Sequence, residues 1–474
     1  MPEQVGVVIV GSGTAGLSAL REVRRATDDF LVVNDGDWGT TCAARGCMPS
    51  KALIEIANAY HRRKAFEAFG IRGGESLSID VPAALARVRR LRDGFTEGPR
   101  AVPGELGDRA LAGRARLRGP DRVVVGSREI GARRIILAPG SRPVVPAAWE
   151  RFGDRVLTTD TLFEQADLPG RIAVVGLGAI GVEMAQALSR LGVEVAGFDA
   201  IEGIAGLSDP EVTAALRGAL VREFPLHLGS PAELTEGEAG GIVVQSEAGS
   251  FTADVVLAAL GRRPNVDGLG LDTLGVPLDD KGLPPVDPTT LQVGDLPVWL
   301  VGDANGQSAV LHEAADEGHI AGRNATAEHV SSYCRRTGLA VVFSSPGVAR
   351  VGAPWADLDR ASTAVGAADF SRQPRARTAE RADGVLRIYA DKTSGRLTGS
   401  EMCVPGAEHL AHLLALAMYR ELTVTELLGT PFYHPVLEEG LRSALRDVSR
   451  RIEGPAGDQD DLSECAEPGL RVPA

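Results

Sequence analysis

A chain of 474 residues with a formal net charge of −13 lacks the basic footprint that broad nucleic-acid binding requires. It is 44% hydrophobic and 24% charged, with 57 glycines and only 4% aromatic residues, which suits an α/β protein of about three domains with many tight turns and small-residue helix contacts. No apolar run approaches the roughly 18 residues of a membrane helix, and no basic and apolar leader precedes the first strand. The expectation is a cytoplasmic protein with neither a membrane nor a nucleic-acid partner.

Val5 to Val10 reads as a strand buried on both faces. It runs into "GSGTAG", with Gly11, Gly13 and Gly16, then a helix pattern, then a second strand, "FLVV", that ends at Asn34 and Asp35. Strand, glycine turn, helix, strand is a dinucleotide-binding unit. The first glycine permits the turn, the second lets a pyrophosphate reach the backbone, and the third lets the helix pack on the strand. The ribose-binding position falls on Asn34, which lacks a charge. Asp35 is adjacent, and the residues leave open which of the two serves.

"TTCAARGCMPSK" (40–51) then places two of the five cysteines, Cys42 and Cys47, in one short loop. A disulfide framework, a metal site, a redox pair and coincidence are the candidates. An odd, scattered cysteine count does not suit a secreted framework. A closed zinc site needs four ligands; no second close Cys or His pair lies near this loop and His61 is isolated, so no metal is expected. Cys47 precedes Met48-Pro49-Ser50-Lys51 and the helical pattern "KALIEIANAYHRR". Proline fits a first helical turn, and the helix start, with Lys51, stabilises a thiolate. The pair reads as a redox disulfide beside a flavin. Further on, the basic run "RVRRLR" (87–92) reads as a solvated helix face.

The first device recurs. "RIAVVGLGAIGVEMAQAL" supplies Gly176, Gly178 and Gly181, and the next strand ends at Asp199, at the same spacing as Gly11 to Asn34. Two hits in register make two dinucleotide sites. Asp199 is the expected ribose acid, and no Lys or Arg occurs between Gly192 and Leu216, which favours NAD over NADP. Cys334 and Cys403 read as core thiols. Cys465 lies in a Pro/Gly/acid-rich tail expected to be disordered.

In order, these features resemble the class I flavoprotein disulfide reductases, most of all the dihydrolipoamide dehydrogenase branch. The resemblance covers about the first 450 residues. Further motifs carry it: "IILAPGS" (135–141) with Gly140, "ALGRRPN" (259–265) with Gly261, "VGDAN" (301–305) with Gly302 and Asp303, "FSSPGVARVG" (343–352) and "YHPVLEE" (433–439). It implies an α/β fold with two Rossmann-like dinucleotide-binding domains, for FAD and NAD, and a C-terminal α+β interface domain. The implied limits are 1–150 for the FAD domain with its redox disulfide and 151–265 for the NAD domain. Residues 266–338 complete the FAD domain, 339–452 form the interface domain, and 453–474 are the tail.

The resemblance also implies roles. Cys42 is the interchange thiol and Cys47 the thiol facing the flavin. Lys51 and Glu183 form an ion pair near the isoalloxazine, His434 is the acid–base, and Glu439 orients it. Thr41, Lys51 and Asp303 touch FAD, Asp303 at its ribityl chain. The implied protein is a homodimer that takes electrons from a lipoyl-carrying protein or free dihydrolipoamide and passes them through the disulfide and FAD to NAD+. Two alternatives stand beside it: an NAD(P)H-dependent reductase of another disulfide or a metal ion, and a catalytically idle flavin-binding module. Three positions depart from the pattern, Asn34, Thr40 and Phe432, the last where many lipoamide dehydrogenases have a histidine. "HLLALAMYREL" (412–422) suits a buried helix of the dimer interface or of the domain's own core equally.

Overall fold

The computed structural model describes residues 3–453; Cys465 and the expected disordered tail lie outside the described residues. The chain forms two compact units. Among the described residues the first comprises 3–56, 79–170 and 254–335, and the second 57–78, 171–253 and 336–453.

The first unit is built on β1 (Glu3–Val10), α1 (Thr14–Ala26), β2 (Phe30–Asn34), α2 (Thr41–Ala44), α3 (Cys47–His61), α4 (Val81–Leu106), β3 (Ala110–Ala112), β4 (Ala115–Leu117), β5 (Arg122–Val125) and β6 (Arg128–Leu137). The sheet order is β3-β2-β1-β6-β5-β4, and the strand Val298–Leu300 also pairs with β6. β1 is parallel to β2 and β6, with Val7 opposite Phe30 and Arg134. Its apolar run is unbroken by polar residues because both faces are covered. Val5, Val8 and Val10 enter one core with Leu31 and Leu117, while Val7 and Ile9 enter another with Ala19 and Leu20 of α1. The helix Leu311–Thr326 lies against α1. A Cβ on Gly318 would overlap the Ala15 carbonyl oxygen, and one on Gly322 would lie 2.7 Å from that of Ala19. Backbones therefore touch there, the kind of contact the glycine content foretold.

In the second unit Arg171–Val175 is parallel to Glu194–Phe198, with the helix Ala179–Arg190 between them in sequence. An antiparallel ribbon, 233–253, follows. Five antiparallel strands between Leu339 and Val404 make a separate sheet. The helices Ala407–Tyr419 and Glu438–Ser449 share its apolar core. Two fully buried carboxylates join parts of this unit. Glu401 accepts from the backbone N–H groups of Ser208 (2.8 Å), Asp209 (2.8 Å) and Trp355 (2.9 Å). Asp209 accepts from the Tyr389 hydroxyl at 2.9 Å and pairs with Arg387 at 3.0 Å. Both charges are compensated, as burial demands. Burial and the nearby Asp209 and Glu401 charges push the Tyr389 phenol far up.

Two expectations need revision. Cys334 is exposed, not a core thiol, because residues 331–338 form an irregular connector. Cys403 is buried, and burial pushes its thiol up to about 12. The run at 87–92 is only half a solvated face. Arg87 and Arg90 are exposed, but Arg89 donates to the carbonyls of Phe163 (3.2 Å) and Gln165 (2.6 Å). The stretch 412–422 divides by face: Leu414 and Ala417 enter the core of their own unit, while Leu416 and Tyr419 are 60% and 67% exposed.

Candidate active site

The first glycine loop separates the jobs of its three glycines. Gly11 has φ +103°, and a Cβ there would overlap the Ala138 carbonyl oxygen. A Cβ on Gly16 would overlap the carbonyl oxygen of Gly11. A Cβ on Gly13 would meet nothing within 4 Å, so only this glycine leaves open backbone for a ligand. The Ser12 hydroxyl oxygen is buried and has no hydrogen-bond partner among the described residues. An orphaned polar atom in a loop at the start of α1 fits a phosphate-bearing ligand. Ser12 N–H donates to Asn34 Oδ1 at 3.1 Å, and Asn34 Nδ2 donates to the carbonyls of Gly36 (3.0 Å) and Asp37 (3.1 Å). Asn34 is buried and Asp35 exposed.

The second loop repeats this. Gly176 has φ +94°, Gly178 faces open space, and Gly181 is buried in the first turns of Ala179–Arg190. Leu177 N–H donates to Asp199 Oδ2 at 2.6 Å, and Ile201 N–H to its Oδ1 at 3.1 Å.

The cysteines sit on two consecutive helices. Thr40 caps α2 by accepting from Ala43 N–H at 3.1 Å, which gives its side chain a use where the resemblance has glycine. Cys42 lies in α2 beside the exposed Thr41, and α3 begins at Cys47 itself, four residues before Lys51. The hydrogen bond with Cys47, then burial, then the Cys47 charge push the Cys42 thiol far up, while Lys51 pulls the other way. Cys42 therefore holds its proton the more tightly, while Cys47 stands at the helix start, where a thiolate is favoured.

Three motifs distant in sequence meet in the first unit. Ser141 Oγ donates to Asp303 Oδ2 at 2.6 Å and accepts from Arg262 Nε at 2.7 Å. Asn265 Nδ2 donates to the Pro139 carbonyl at 3.0 Å. Gly140, Gly261 and Gly302 take φ of +70°, +90° and +69° at the turns that bring these strands together. The Gly302 N–H donates to Glu317 Oε2 at 2.6 Å, and Asn305 Nδ2 donates to the same oxygen at 2.8 Å. Arg335 holds the other oxygen of Glu317 at 2.8 Å. Burial pushes the Glu317 carboxyl up, against the pull of Arg335 and Gly302 N–H. Glu317, Arg335, Ser141 and Arg262 were not picked out from sequence, since each acts through residues far along the chain.

In the second unit His434 Nδ1 lies 3.0 and 3.1 Å from the two oxygens of Glu439, and Val436 N–H donates to Glu439 at 3.3 Å. The bond to His434 holds the Glu439 carboxyl below the usual range. That carboxylate requires the proton on Nδ1, leaving Nε2 as a base. The imidazole is 72% exposed. Phe432 packs on the core, with Arg442 over its ring at 5.9 Å, so the aromatic at this departure is a packing residue. Glu183 is buried and accepts from Phe343 N–H at 3.0 Å. Lys51 belongs to the first unit and Glu183 to the second. Among the described residues no helix is long and apolar enough to cross a membrane, and no cluster of three or more His, Cys, Asp or Glu is gathered as for a metal.

The family model for pyridine nucleotide-disulphide oxidoreductases matches residues 5–318, and the model for that family's dimerisation domain matches residues 339–445. Dihydrolipoyl dehydrogenase of Thermus scotoductus is 31% identical over 457 residues, spanning 94% of this chain and 97% of its own. Among solved structures, LpdA from Mycobacterium tuberculosis superposes with a TM-score of 0.81 at 25% identity, covering 94% of this chain and 99% of the other. The HOCl-induced flavoprotein disulfide reductase RclA from Escherichia coli, as its Cu(II) complex, superposes with a TM-score of 0.80 over the same shares. Its 22% identity makes this a likeness of fold alone.

Proposed function

The chain belongs to the pyridine nucleotide-disulphide oxidoreductase family, and from that premise we propose that it is a cytoplasmic, homodimeric dihydrolipoyl dehydrogenase that oxidises a lipoyl dithiol with NAD+. The family's cofactors are FAD and a pyridine nucleotide. Ser12, Gly13 and Asp303 would hold the flavin, and when bound it supplies the two-electron link between the cysteine pair and the nucleotide.

The observation that carries this reading is the placement of the two thiols, Cys42 within the short α2 and Cys47 at the first position of α3. In the oxidised protein a substrate thiol, deprotonated by Nε2 of a His434 that the homodimer would supply from its second subunit, attacks the Cys42 sulfur. A mixed disulfide forms and Cys47 leaves as thiolate. The second substrate thiol attacks the mixed disulfide, releasing the cyclic disulfide product and reduced Cys42. Glu439 keeps the imidazole in the tautomer that accepts at Nε2. Lys51 would offset the Cys47 charge. At the second loop, Asp199 would accept from both ribose hydroxyls and repel a 2′-phosphate, which supports NAD as the nucleotide.

The test is NAD+ reduction by dihydrolipoamide. Cys42→Ser and Cys47→Ser should each lose at least about 1,000-fold, and His434→Gln about 100-fold or more. A reductase of another disulfide is the second reading, favoured by the aromatic Tyr433 beside His434, which is 80% exposed. Slow turnover of dihydrolipoamide with fast NADH-driven reduction of a different disulfide would select it.

A further inference from the structure

The chain of contacts from Arg262 through Ser141 to Asp303 has only one possible polarity. A guanidinium has no acceptor, so at 2.7 Å the Ser141 hydroxyl accepts from Arg262 Nε. Its single proton is thereby directed to Asp303 Oδ2, 2.6 Å away. Arg262 cannot turn aside, because its Nη2 also donates to the Ser141 carbonyl at 2.7 Å. The strands that carry the two residues, Ser141–Pro143 and Arg262–Pro264, are paired antiparallel. Asp303 is held from a second side through its backbone, since the preceding Gly302 N–H is bound to Glu317. Its Oδ1 has no hydrogen-bond partner among the described residues, and its side chain is 26% exposed.

We propose that Ser141, aligned by Arg262, is a positioning residue that offers Asp303 Oδ1 as an acceptor for a ligand hydroxyl, and so selects FAD for its hydroxylated ribityl chain. The inference rests on the assignment of Asp303 to the flavin made above. Neither Ser141 nor Arg262 need touch the ligand. Ser141 fixes which oxygen of Asp303 is occupied and in what rotation the carboxylate stands. A carboxylate held in one rotation meets a hydroxyl without the ordering cost that a free one bears.

The test uses flavin-stripped protein and two probes, FAD and an FAD analogue whose ribityl chain is an unhydroxylated alkyl chain. Binding is read by quenching of flavin fluorescence. The unaltered protein should prefer FAD by about 10- to 100-fold, the worth of a hydrogen bond to a charged group. Ser141→Ala should weaken FAD and leave the analogue nearly unchanged, collapsing the preference. Ser141→Thr, which keeps the hydroxyl, should restore it. The backbone bond from Arg262 to residue 141 survives both changes. If Ser141→Ala does not fold, Ser141→Cys, with similar volume and a weak donor, carries the same comparison. Equal weakening of both probes would mean a structural role only and overturn the inference. Asp303→Asn separates the two claims. If it leaves the preference intact, the assignment of Asp303 to the flavin fails. If it removes the preference while Ser141→Ala keeps it, that assignment stands and the role of Ser141 fails.

Discussion

In the first glycine loop the N–H of Ser12 is received by an amide, Asn34; in the second the N–H of Leu177 is received by a carboxylate, Asp199. The two scaffolds repeat the same spacing, 22 residues from donor to acceptor. What differs is what remains for a ligand. The Asn34 oxygen has two lone pairs, one already occupied, and both amide hydrogens are donated to the Gly36 and Asp37 carbonyls. A carboxylate has about four acceptor positions, and Asp199 uses two of them. One loop thus uses the end of its strand to brace itself, and the other keeps acceptors and a charge that would suit a diol. The same backbone can be inert or selective, depending on one atom of one side chain.

The largest expected effect comes from closing each loop in turn. Gly13 and Gly178 have ordinary φ values of −76° and −65° and open space where a Cβ would go. Gly13→Val should therefore fold but lose bound flavin, with affinity down at least about 100-fold. Gly178→Val should stay yellow and lose nucleotide affinity to a similar degree. Loss of both ligands in either variant, measured by flavin absorbance and nucleotide titration, would show that the loops are not independent. Next, Asp199→Asn makes the second loop a copy of the first. The preference for NAD+ over NADP+ in kcat/KM should fall about 10- to 100-fold, with flavin content unchanged.

The converse change, Asn34→Asp, is smaller and of opposite sign to a gain. A carboxylate there would face the Gly36 and Asp37 carbonyls that now accept from Nδ2. Stability should drop by about 1–3 kcal/mol with no rise in flavin affinity. A more stable variant with tighter flavin would mean that the amide is not bracing the loop.

The smallest effect contrasts the two units in acid. Burial, then the Arg190 charge, push the His61 imidazole of the second unit down to about 4 from 6.5. Between those values the unfolded chain binds the proton and the folded one does not. This contribution to stability is complete above about pH 6.5 and is lost as pH falls toward 4. Glu317 of the first unit, with its carboxyl pushed up, works the other way and favours folding as pH falls. His61→Gln should flatten the fall in Tm between pH 6.5 and 4 by a few degrees. An unchanged slope, followed by calorimetry, would remove His61 as its source.

Much of the site was legible because its chemistry is local. Three glycines, a thiol at a helix start, and a histidine five residues before a carboxylate each announce themselves within one turn or one helix. The Thr40 departure also has a local cause, a four-residue helix that needs a cap. The missed residues work at a distance. Ser141 reaches Arg262 and Asp303 across 121 and 162 positions. Glu317 sits in a helix with other acids, and nothing in the helical period distinguishes it from Glu313 or Asp316. Cys334 was misread because a lone thiol carries no pattern to say whether its segment is a core element or a connector. Arg89 was misread because charge alone does not reveal a carbonyl waiting 74 residues away.

Glu317 and Gly318 are neighbours on the helix Leu311–Thr326, yet in the flavin site proposed above they would serve opposite ends of one ligand seat. Gly318 sets how closely that helix approaches Ala15, two residues past Gly13. Glu317 sets where the Gly302 N–H stands, one residue before Asp303. The helix is thus a common keel, and its displacement would carry the proposed phosphate end and ribityl end together. A side chain added at Gly318 would not report on one end of the flavin alone. It would shift two gauges mounted on one beam, and their errors would be correlated.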